Sequence, residues 1–217
     1  MTDTVMVDIR GEVAVVTLNR PATANTLNLA MGRDLLTAAL RCEADPAVRA
    51  VVLTGAGKAF CFGGDLRGMT SSGTPIEPYL KELTTHLHAA IARFMRMDAP
   101  VIAAVNGTTA GAGVGLVAMA DLAIMAAGAK ISLAYTGVGL TPDGGTSFLL
   151  PRAVGAKRAM ELIMTNRALT AAEALEWGLV NQVAPDTEVL DTALALAGKL
   201  AAGPKGARGR SKRLVAA

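Results

Sequence analysis

A glycine-rich stretch without charges lies near the middle of the chain and limits the folds it can adopt. Between Asp98 and Asp121 stand 22 uncharged residues, a length that would suit a membrane-spanning helix. The stretch also contains Pro100, Asn106 and four glycines, which are costly and flexible in one continuous span. Residues 101–105 are short, β-branched and preceded by proline, so they predict a buried strand. The stretch therefore indicates a strand, a turn and a small-residue helix, with no membrane partner.

Apolar runs and helical patterns alternate along most of the chain. The segments "VAVVTLNRP", "VRAVVLTGAG", "PVIAAVNG", "ADLAIMAAG" and "KISLAY" predict strands, and helices are predicted over 26–45 and 79–97. In "TAAEALEWGLV", Thr170 and Glu173 form a capping-box pattern, and the helix is expected to end at Gly178. Strands separated by helices imply parallel pairing with right-handed crossovers, which is an α/β fold.

Length and charge favour one domain followed by a basic tail. The 217 residues are enough for one sizeable core, with no repeat and no linker before residue 203. The predicted boundaries are therefore a core over 1–202 and a C-terminal tail over 203–217. The tail contains five Lys or Arg residues and no acid. The formal net charge of the whole chain is +3, so the net charge of the core is −2. We expect a solvated tail and no nucleic-acid partner, because the core lacks a basic stripe.

Cysteine and histidine are too sparse for a disulfide framework or a zinc site. Cys42 and Cys61 form no CxxC motif, and His86 and His88 are the only histidines. No metal is therefore predicted. The start of the chain, "MTDTVMVDIR", lacks the basic and apolar regions of a signal peptide, which predicts a cytoplasmic protein.

Two glycine-bearing turns could present backbone N–H groups to a ligand. One is "VVLTGAGKAFCFGGDL", which ends at Gly63, Gly64 and Asp65, and the other is "VNGTTAGAGVGL". Glycine lets a ligand approach the backbone, and a helix start adds unpaired N–H groups. A dinucleotide loop is the alternative, but "GAGVGL" does not match G-x-G-x-x-G.

Six segments in register resemble the crotonase family, the enoyl-CoA hydratase/isomerase enzymes, over residues 5–205. They are "NRPATANTLN", "VVLTGAGKAFCFGGDL", "PVIAAVNGTTAGAGVGL", "DLAI", "GLTPDGGTSFLLPRAVG" and "ALTAAEALEWGLVNQV". The resemblance implies an α/β spiral of repeated ββα turns with flanking helices. It also implies an acyl-CoA thioester substrate, no cofactor beyond that coenzyme A, and a homotrimer or hexamer. The chain ends at Ala217, before the usual family length, so we expect the C-terminal helical lid to be short or missing.

By the same resemblance, the N–H groups of Gly64 and Ala112 would hold the thioester oxygen. Negative charge develops on that oxygen during reaction, and one such donor contributes about 3 kcal/mol in other enzymes. The residues expected along coenzyme A are Ala22, Thr23, Ala24, Phe62, Asp65 and Leu66.

The acid–base groups depart from the family's hydratases, which use two glutamates. Gly115 and Tyr135 stand at the corresponding positions, so two-glutamate hydration is not expected. Asp143 in "GLTPDGGTS" lies in a block similar to that of isomerases with a single carboxylate. Isomerisation needs one group that removes a proton from one carbon and returns it to another. "PDGG" is also a type I turn signal, so a purely structural role for Asp143 stays open.

The 4-chlorobenzoyl-CoA dehalogenases of the family offer an alternative reaction. There an Asp in this block is the nucleophile and a histidine assists hydrolysis, roles that Asp143 and His88 match here. Tyr135 stands where those enzymes carry tryptophan. The third alternative is an acyl-CoA binding protein without catalysis. Among the three, we expect isomerisation.

Overall fold

The computed structural model describes residues 3–216, which form strands and helices in steady alternation. The strands are β1 (Val5–Arg10), β2 (Val13–Leu18), β3 (Ala50–Gly55), β4 (Ala59–Cys61), β5 (Val101–Val105), β6 (Thr108–Ala110), β7 (Leu122–Ala126), β8 (Lys130–Ser132), β9 (Leu169–Thr170) and β10 (Gln182–Ala184). The helices are α1 (Leu29–Ala44), α2 (Leu66–Ser71), α3 (Ile76–Arg96), α4 (Ala112–Ala118), α5 (Thr146–Val154), α6 (Ala156–Thr165), α7 (Ala171–Glu176), α8 (Val189–Ala201) and α9 (Lys205–Ala216).

Successive strand pairs divide between two sheets and produce a spiral. The larger sheet has the order β1-β2-β3-β5-β7-β10, and the smaller one has the order β4-β6-β8-β9. Each of the pairs β3/β4, β5/β6 and β7/β8 gives its first strand to the larger sheet and its second to the smaller. Helices follow each pair, so the predicted α/β spiral of ββα turns is confirmed.

The larger sheet is parallel apart from its first strand, as the alternation of strands and helices predicts. β2, β3, β5, β7 and β10 pair in parallel, and β1 pairs antiparallel with β2. β3 and β5 are buried along their whole length. Strands covered on both faces read as continuous apolar runs, which is why the sequence identifies them so clearly.

The uncharged middle stretch contains the strand and the helix that its composition indicates, but a second short strand lies between them. It forms β5, β6 and α4, in that order. No helix within residues 3–216 combines the length and the hydropathy that a membrane span requires. The capping box at the start of α7 is also confirmed, because the Thr170 hydroxyl accepts from the Glu173 amide and Glu173 accepts from the Thr170 amide.

The basic C-terminal segment is not a solvated tail, so this expectation is wrong. It forms α9, whose Lys212 ammonium donates to the Asp121 carboxylate at 2.7 Å and to the Phe94 carbonyl at 2.9 Å. The Lys212 side chain is only 10% exposed. Arg213 donates to Asp98 at 2.6 Å. Lys212 and Arg213 therefore pair with acids and a carbonyl of the core.

Candidate active site

An apolar cavity of about 130 Å³ lies between α3, the turn after β4, the start of α4 and the segment after β8. Most of its walls are aliphatic side chains. Its lining is Leu27, Phe62, Gly64, Leu66, Met69, Leu80, Leu83, Leu87, Gly111, Ala112, Leu133, Ala134, Tyr135, Val138, Leu140 and Asp143. An apolar cavity with a few convergent polar groups is the usual form of a small-molecule site.

Five of the ten predicted site residues line this cavity. They are Gly64, Ala112, Asp143, Phe62 and Leu66. The other five, Ala22, Thr23, Ala24, Asp65 and His88, lie outside its lining.

The two glycine-bearing turns meet at the cavity with unpaired amides. Gly63 has φ +74°, and a Cβ on it would lie 3.0 Å from the Ala112 nitrogen, so only glycine allows this close approach. Around Gly64, the Leu27 amide donates to the Gly63 carbonyl and the Asp65 amide donates to the Leu27 carbonyl. Within residues 3–216, neither the Gly64 nor the Ala112 amide donates a hydrogen bond. Both amides are therefore available to a ligand in the cavity.

A buried asparagine holds the turn at 22–24, whose residues were predicted to lie along coenzyme A. Asn25 is fully buried, and its amide donates to the carbonyls of Ala56 and Ala59 at 2.9 and 2.8 Å. The turn at 22–24 is thereby fixed next to Phe62, a residue of the cavity lining whose amide donates to the Ala24 carbonyl. Sequence reasoning missed Asn25. An asparagine soon after a proline is a sequence signal for a turn, because asparagine tolerates the left-handed backbone that Asn25 adopts.

The Asp65 side chain belongs to the fold and is not part of the cavity wall. Its carboxylate accepts from the Gly68 amide at 3.0 Å, which caps α2, and from Arg20 at 2.9 Å. Partial burial by itself would raise the pKa of Asp65, but these two donors outweigh it and lower the pKa below its ordinary value. Asp65 therefore stays charged and fixes the turn that carries Gly64.

Asp143 is both a turn residue and a cavity residue. Its carbonyl accepts from the Thr146 amide at 2.8 Å, and the central Gly144 and Gly145 have φ values of +55° and +75°. Two positive φ values define a type I′ turn rather than the type I turn that "PDGG" suggests. The Asp143 carboxylate accepts from the Tyr135 hydroxyl at 2.7 Å.

The Asp143 turn occupies the space where the side chain of the first hydratase glutamate would lie. Gly115 is buried in α4, and a Cβ on it would overlap the Gly144 carbonyl and lie 3.0 Å from the Thr146 hydroxyl. Tyr135 occupies the second position. Asp143 is therefore the one carboxylate among the described residues that line the cavity.

His88 contacts the turn from its outer side. The Gly144 amide donates to His88 Nε2 at 3.1 Å, so this nitrogen is an acceptor here. His86 lies on another part of α3, with its Nε2 3.9 Å from Glu82. Of the two histidines, His88 contacts the Asp143 turn, and neither belongs to the lining of the cavity.

Cys61 lies close to the Gly63–Gly64 turn but is inert. Burial raises the pKa of its thiol to about 12, so the thiolate is not formed near neutral pH.

A spiral of ββα turns around such a cavity defines a class, the crotonase-fold proteins. The family model for enoyl-CoA hydratase/isomerase matches residues 8–216. The chain is 37% identical to 1,2-epoxyphenylacetyl-CoA isomerase of Escherichia coli K12, over 99% of this chain and 82% of that protein. It is 35% identical to 4-chlorobenzoyl coenzyme A dehalogenase-2 of Arthrobacter sp, over 94% of this chain and 74% of that protein.

The crystal structure of an enoyl-CoA hydratase from Polaromonas sp. JS666 superposes on the chain with a TM-score of 0.92. The identity is 33%, over 97% of this chain and 82% of the hydratase. The chain belongs to the enoyl-CoA hydratase/isomerase family and is an acyl-CoA enzyme, as the sequence resemblance implies.

Proposed function

We propose that this enzyme shifts the carbon–carbon double bond of an enoyl-CoA, with Asp143 as the proton carrier. The observation that carries the proposal is the single carboxylate among the described residues of the cavity lining, together with the unpaired amides of Gly64 and Ala112, which line the same cavity. Isomerisation requires one acid–base group and a place for negative charge on the thioester oxygen. Asp143 would supply the first, and the Gly64 and Ala112 amides would supply the second.

In the proposed reaction, Asp143 removes a proton from C2 of a 3-enoyl thioester. The electron pair of that C–H bond moves into a dienolate, whose oxygen accepts hydrogen bonds from the Gly64 and Ala112 amides. Asp143 then returns the proton to C4, which gives the 2-enoyl thioester and restores the carboxylate. No oxidant, reductant or water is consumed.

Hydration is disfavoured by what fills the two glutamate positions. Hydration needs one group that activates water and a second group that protonates the α-carbon. Gly115 has no side chain for the first task, and the Tyr135 hydroxyl is hydrogen-bonded to Asp143. The 4-chlorobenzoyl-CoA dehalogenase reaction is the second candidate, because a protein of that name is 35% identical and His88 lies beside the Asp143 turn.

Coenzyme A is proposed to enter past Phe62 and Leu66, two residues of the cavity lining that are each 44% exposed. The exposed turn at 22–24 lies next to Phe62 and would flank the same path. A homotrimer or hexamer and a cytoplasmic location stay predictions from the sequence.

The test incubates the enzyme separately with 2-enoyl-, 3-enoyl- and 4-halobenzoyl-CoA. Asp143→Asn is compared with Asp8→Asn, which removes an exposed carboxylate on β1. We expect interconversion of the two enoyl thioesters, lost about 100-fold or more in Asp143→Asn and retained in Asp8→Asn.

Three other outcomes would contradict the proposal. Hydration that Asp143→Asn leaves intact would reject Asp143 as the acid–base group. Halide release that depends on Asp143 would select the dehalogenase reaction. Binding of the thioesters without turnover would indicate a non-catalytic acyl-CoA binding protein.

A further inference from the structure

Among residues 3–216, the Asp143 carboxylate has one side-chain donor, and that donor is Tyr135. The Tyr135 hydroxyl lies 2.7 Å from Asp143 Oδ1. Within residues 3–216, no hydrogen bond reaches Asp143 Oδ2. The two carboxylate oxygens therefore differ, because one is held by the protein and the other is not.

We propose that Tyr135 is a positioning residue that holds Asp143 Oδ1 and leaves Oδ2 to take and return the substrate proton. This inference rests on the proposed isomerase function, which names Asp143 but not the oxygen that reacts. It also gives a role to the residue that replaces the second hydratase glutamate.

The backbone around Tyr135 makes its hydroxyl a fixed support. The ring is buried, with 6% of the residue exposed. The Tyr135 carbonyl accepts from the amides of Val138 and Leu140 at 3.1 and 3.0 Å, which closes the segment that leads to Asp143. The turn bond between Asp143 and Thr146 secures the far end of that segment. Donor and acceptor are thus held from both sides, as a positioned catalytic group requires.

The direction of the hydrogen bond follows from the environment of the phenol. Burial, and then the nearby Asp143 charge, raise the pKa of Tyr135 well above its ordinary value. The phenol therefore keeps its proton and donates a hydrogen bond to the carboxylate. A hydrogen bond to a carboxylate is stronger than one to a carboxylic acid, so its loss should be visible as a change in the pH profile of the reaction.

The chain contains two tyrosines, which makes a matched comparison possible. Tyr79 is also buried, at 5% exposure, beside Met69 and Leu83, and its hydroxyl makes no hydrogen bond to the described residues. Tyr135→Phe removes the donor without changing the ring, and Tyr79→Phe removes a hydroxyl that supports nothing. Thermal melting establishes that both variants fold.

The readout is the pH profile of kcat/KM for 3-enoyl-CoA isomerisation. For Tyr135→Phe we expect about a tenfold loss near neutral pH and an acid limb that moves up by about one pH unit. Tyr79→Phe is expected to keep the wild-type profile. A smaller kcat/KM with an unmoved limb would mean that Tyr135 serves only packing, and it would overturn the proposal.

A second measurement strengthens the donor instead of removing it. In the Tyr79→Phe background, incorporation of 3,5-difluorotyrosine changes Tyr135 alone and makes its hydroxyl more acidic. The acid limb should then move to lower pH, opposite to the shift in Tyr135→Phe. Movement in the same direction in both proteins would refute the assigned hydrogen bond. If Asp143→Asn is inactive while neither change moves the limb, this inference fails but the proposed function stands; an active Asp143→Asn overturns both.

Discussion

Gly115 tests whether the Asp143 turn owes its position to the absence of a side chain in α4. A Cβ on Gly115 would overlap the Gly144 carbonyl oxygen and lie 3.1 Å from the carbonyl carbon. Ordinary contact between carbon atoms is about 3.5–4.0 Å. Gly115→Ala must therefore push the Gly144 carbonyl away by about 1 Å or distort α4.

The expected magnitudes follow from that displacement. Overpacking a buried position costs about 1–3 kcal/mol of unfolding free energy. A misplacement of about 1 Å in a catalytic group reduces turnover about 100-fold. Asp143 directly precedes Gly144, so Gly115→Ala should lower kcat by about that factor while the protein still folds.

The control is a glycine with a similar steric constraint far from the cavity. A Cβ on Gly209 in α9 would lie 2.8 Å from Asp98 Cβ, so Gly209→Ala should lose comparable stability. Urea unfolding gives the stability of both variants, and steady-state turnover of 3-enoyl-CoA gives their activity. Equal activity in the two variants at equal stability loss would refute the reasoning. Gly115→Glu, which restores the hydratase residue, should gain no hydration, because its Cβ meets the same carbonyl.

Three further predictions concern the surroundings of the site. In a steady-state assay, His88→Ala should reduce turnover several-fold. His88→Gln should retain most of the activity, because a glutamine oxygen can accept the hydrogen bond from the Gly144 amide. If His88 were a catalytic base, both variants would be inactive. Asn25→Ala should lower the unfolding free energy in urea by about 3 kcal/mol, because the buried Ala59 carbonyl and the partly buried Ala56 carbonyl lose their donor. Burial raises the pKa of Cys42 to about 11 and of Cys61 to about 12, above the ordinary 9.0. The thiols should therefore contribute their full stability below pH 9 and lose about 1 kcal/mol per pH unit per thiol from there to pH 11, and the slope of a double Cys→Ala variant should be smaller by that amount.

Sequence patterns predicted the elements whose burial is uniform or strictly periodic. β3 and β5 are buried on both faces, so each is an unbroken apolar run. α3, predicted over 79–97, spans 76–96 because its apolar spacing is regular. Such elements reveal themselves without knowledge of their partners.

α9 could not be predicted in this way because its cations are satisfied by distant residues. Lys212 approaches Asp121, 91 residues earlier, and four more hydrogen bonds of α9 reach the segment 94–99. Burial lowers the pKa of Lys212, and the Asp121 charge opposes that shift. In the sequence, five cations without an acid indicate a solvated segment. Their partners become visible only when the fold brings α3 and the start of β7 together.

The site shows the same division between local and distant information. Gly64 and Ala112 were predicted from a resemblance carried by local motifs, and both line the cavity. The contacts of the Asp143 turn involve residues 8 to 56 positions away, and sequence reasoning treated them as separate departures from the hydratases. From the sequence, the glycine at 115 and the tyrosine at 135 were interpreted only as the loss of the two hydratase glutamates.

In the structure these departures are parts of one arrangement. Because Gly115 has no Cβ, the Gly144 carbonyl can pack against α4, and the type I′ turn then directs Asp143 into the cavity. The carboxylate needs a donor on its other side, and Tyr135 supplies it from the second glutamate position. Restoring a single glutamate would therefore disturb the turn or its support without rebuilding a two-glutamate site. A change back to hydratase chemistry would require Gly115, Tyr135 and the Asp143 turn to change together.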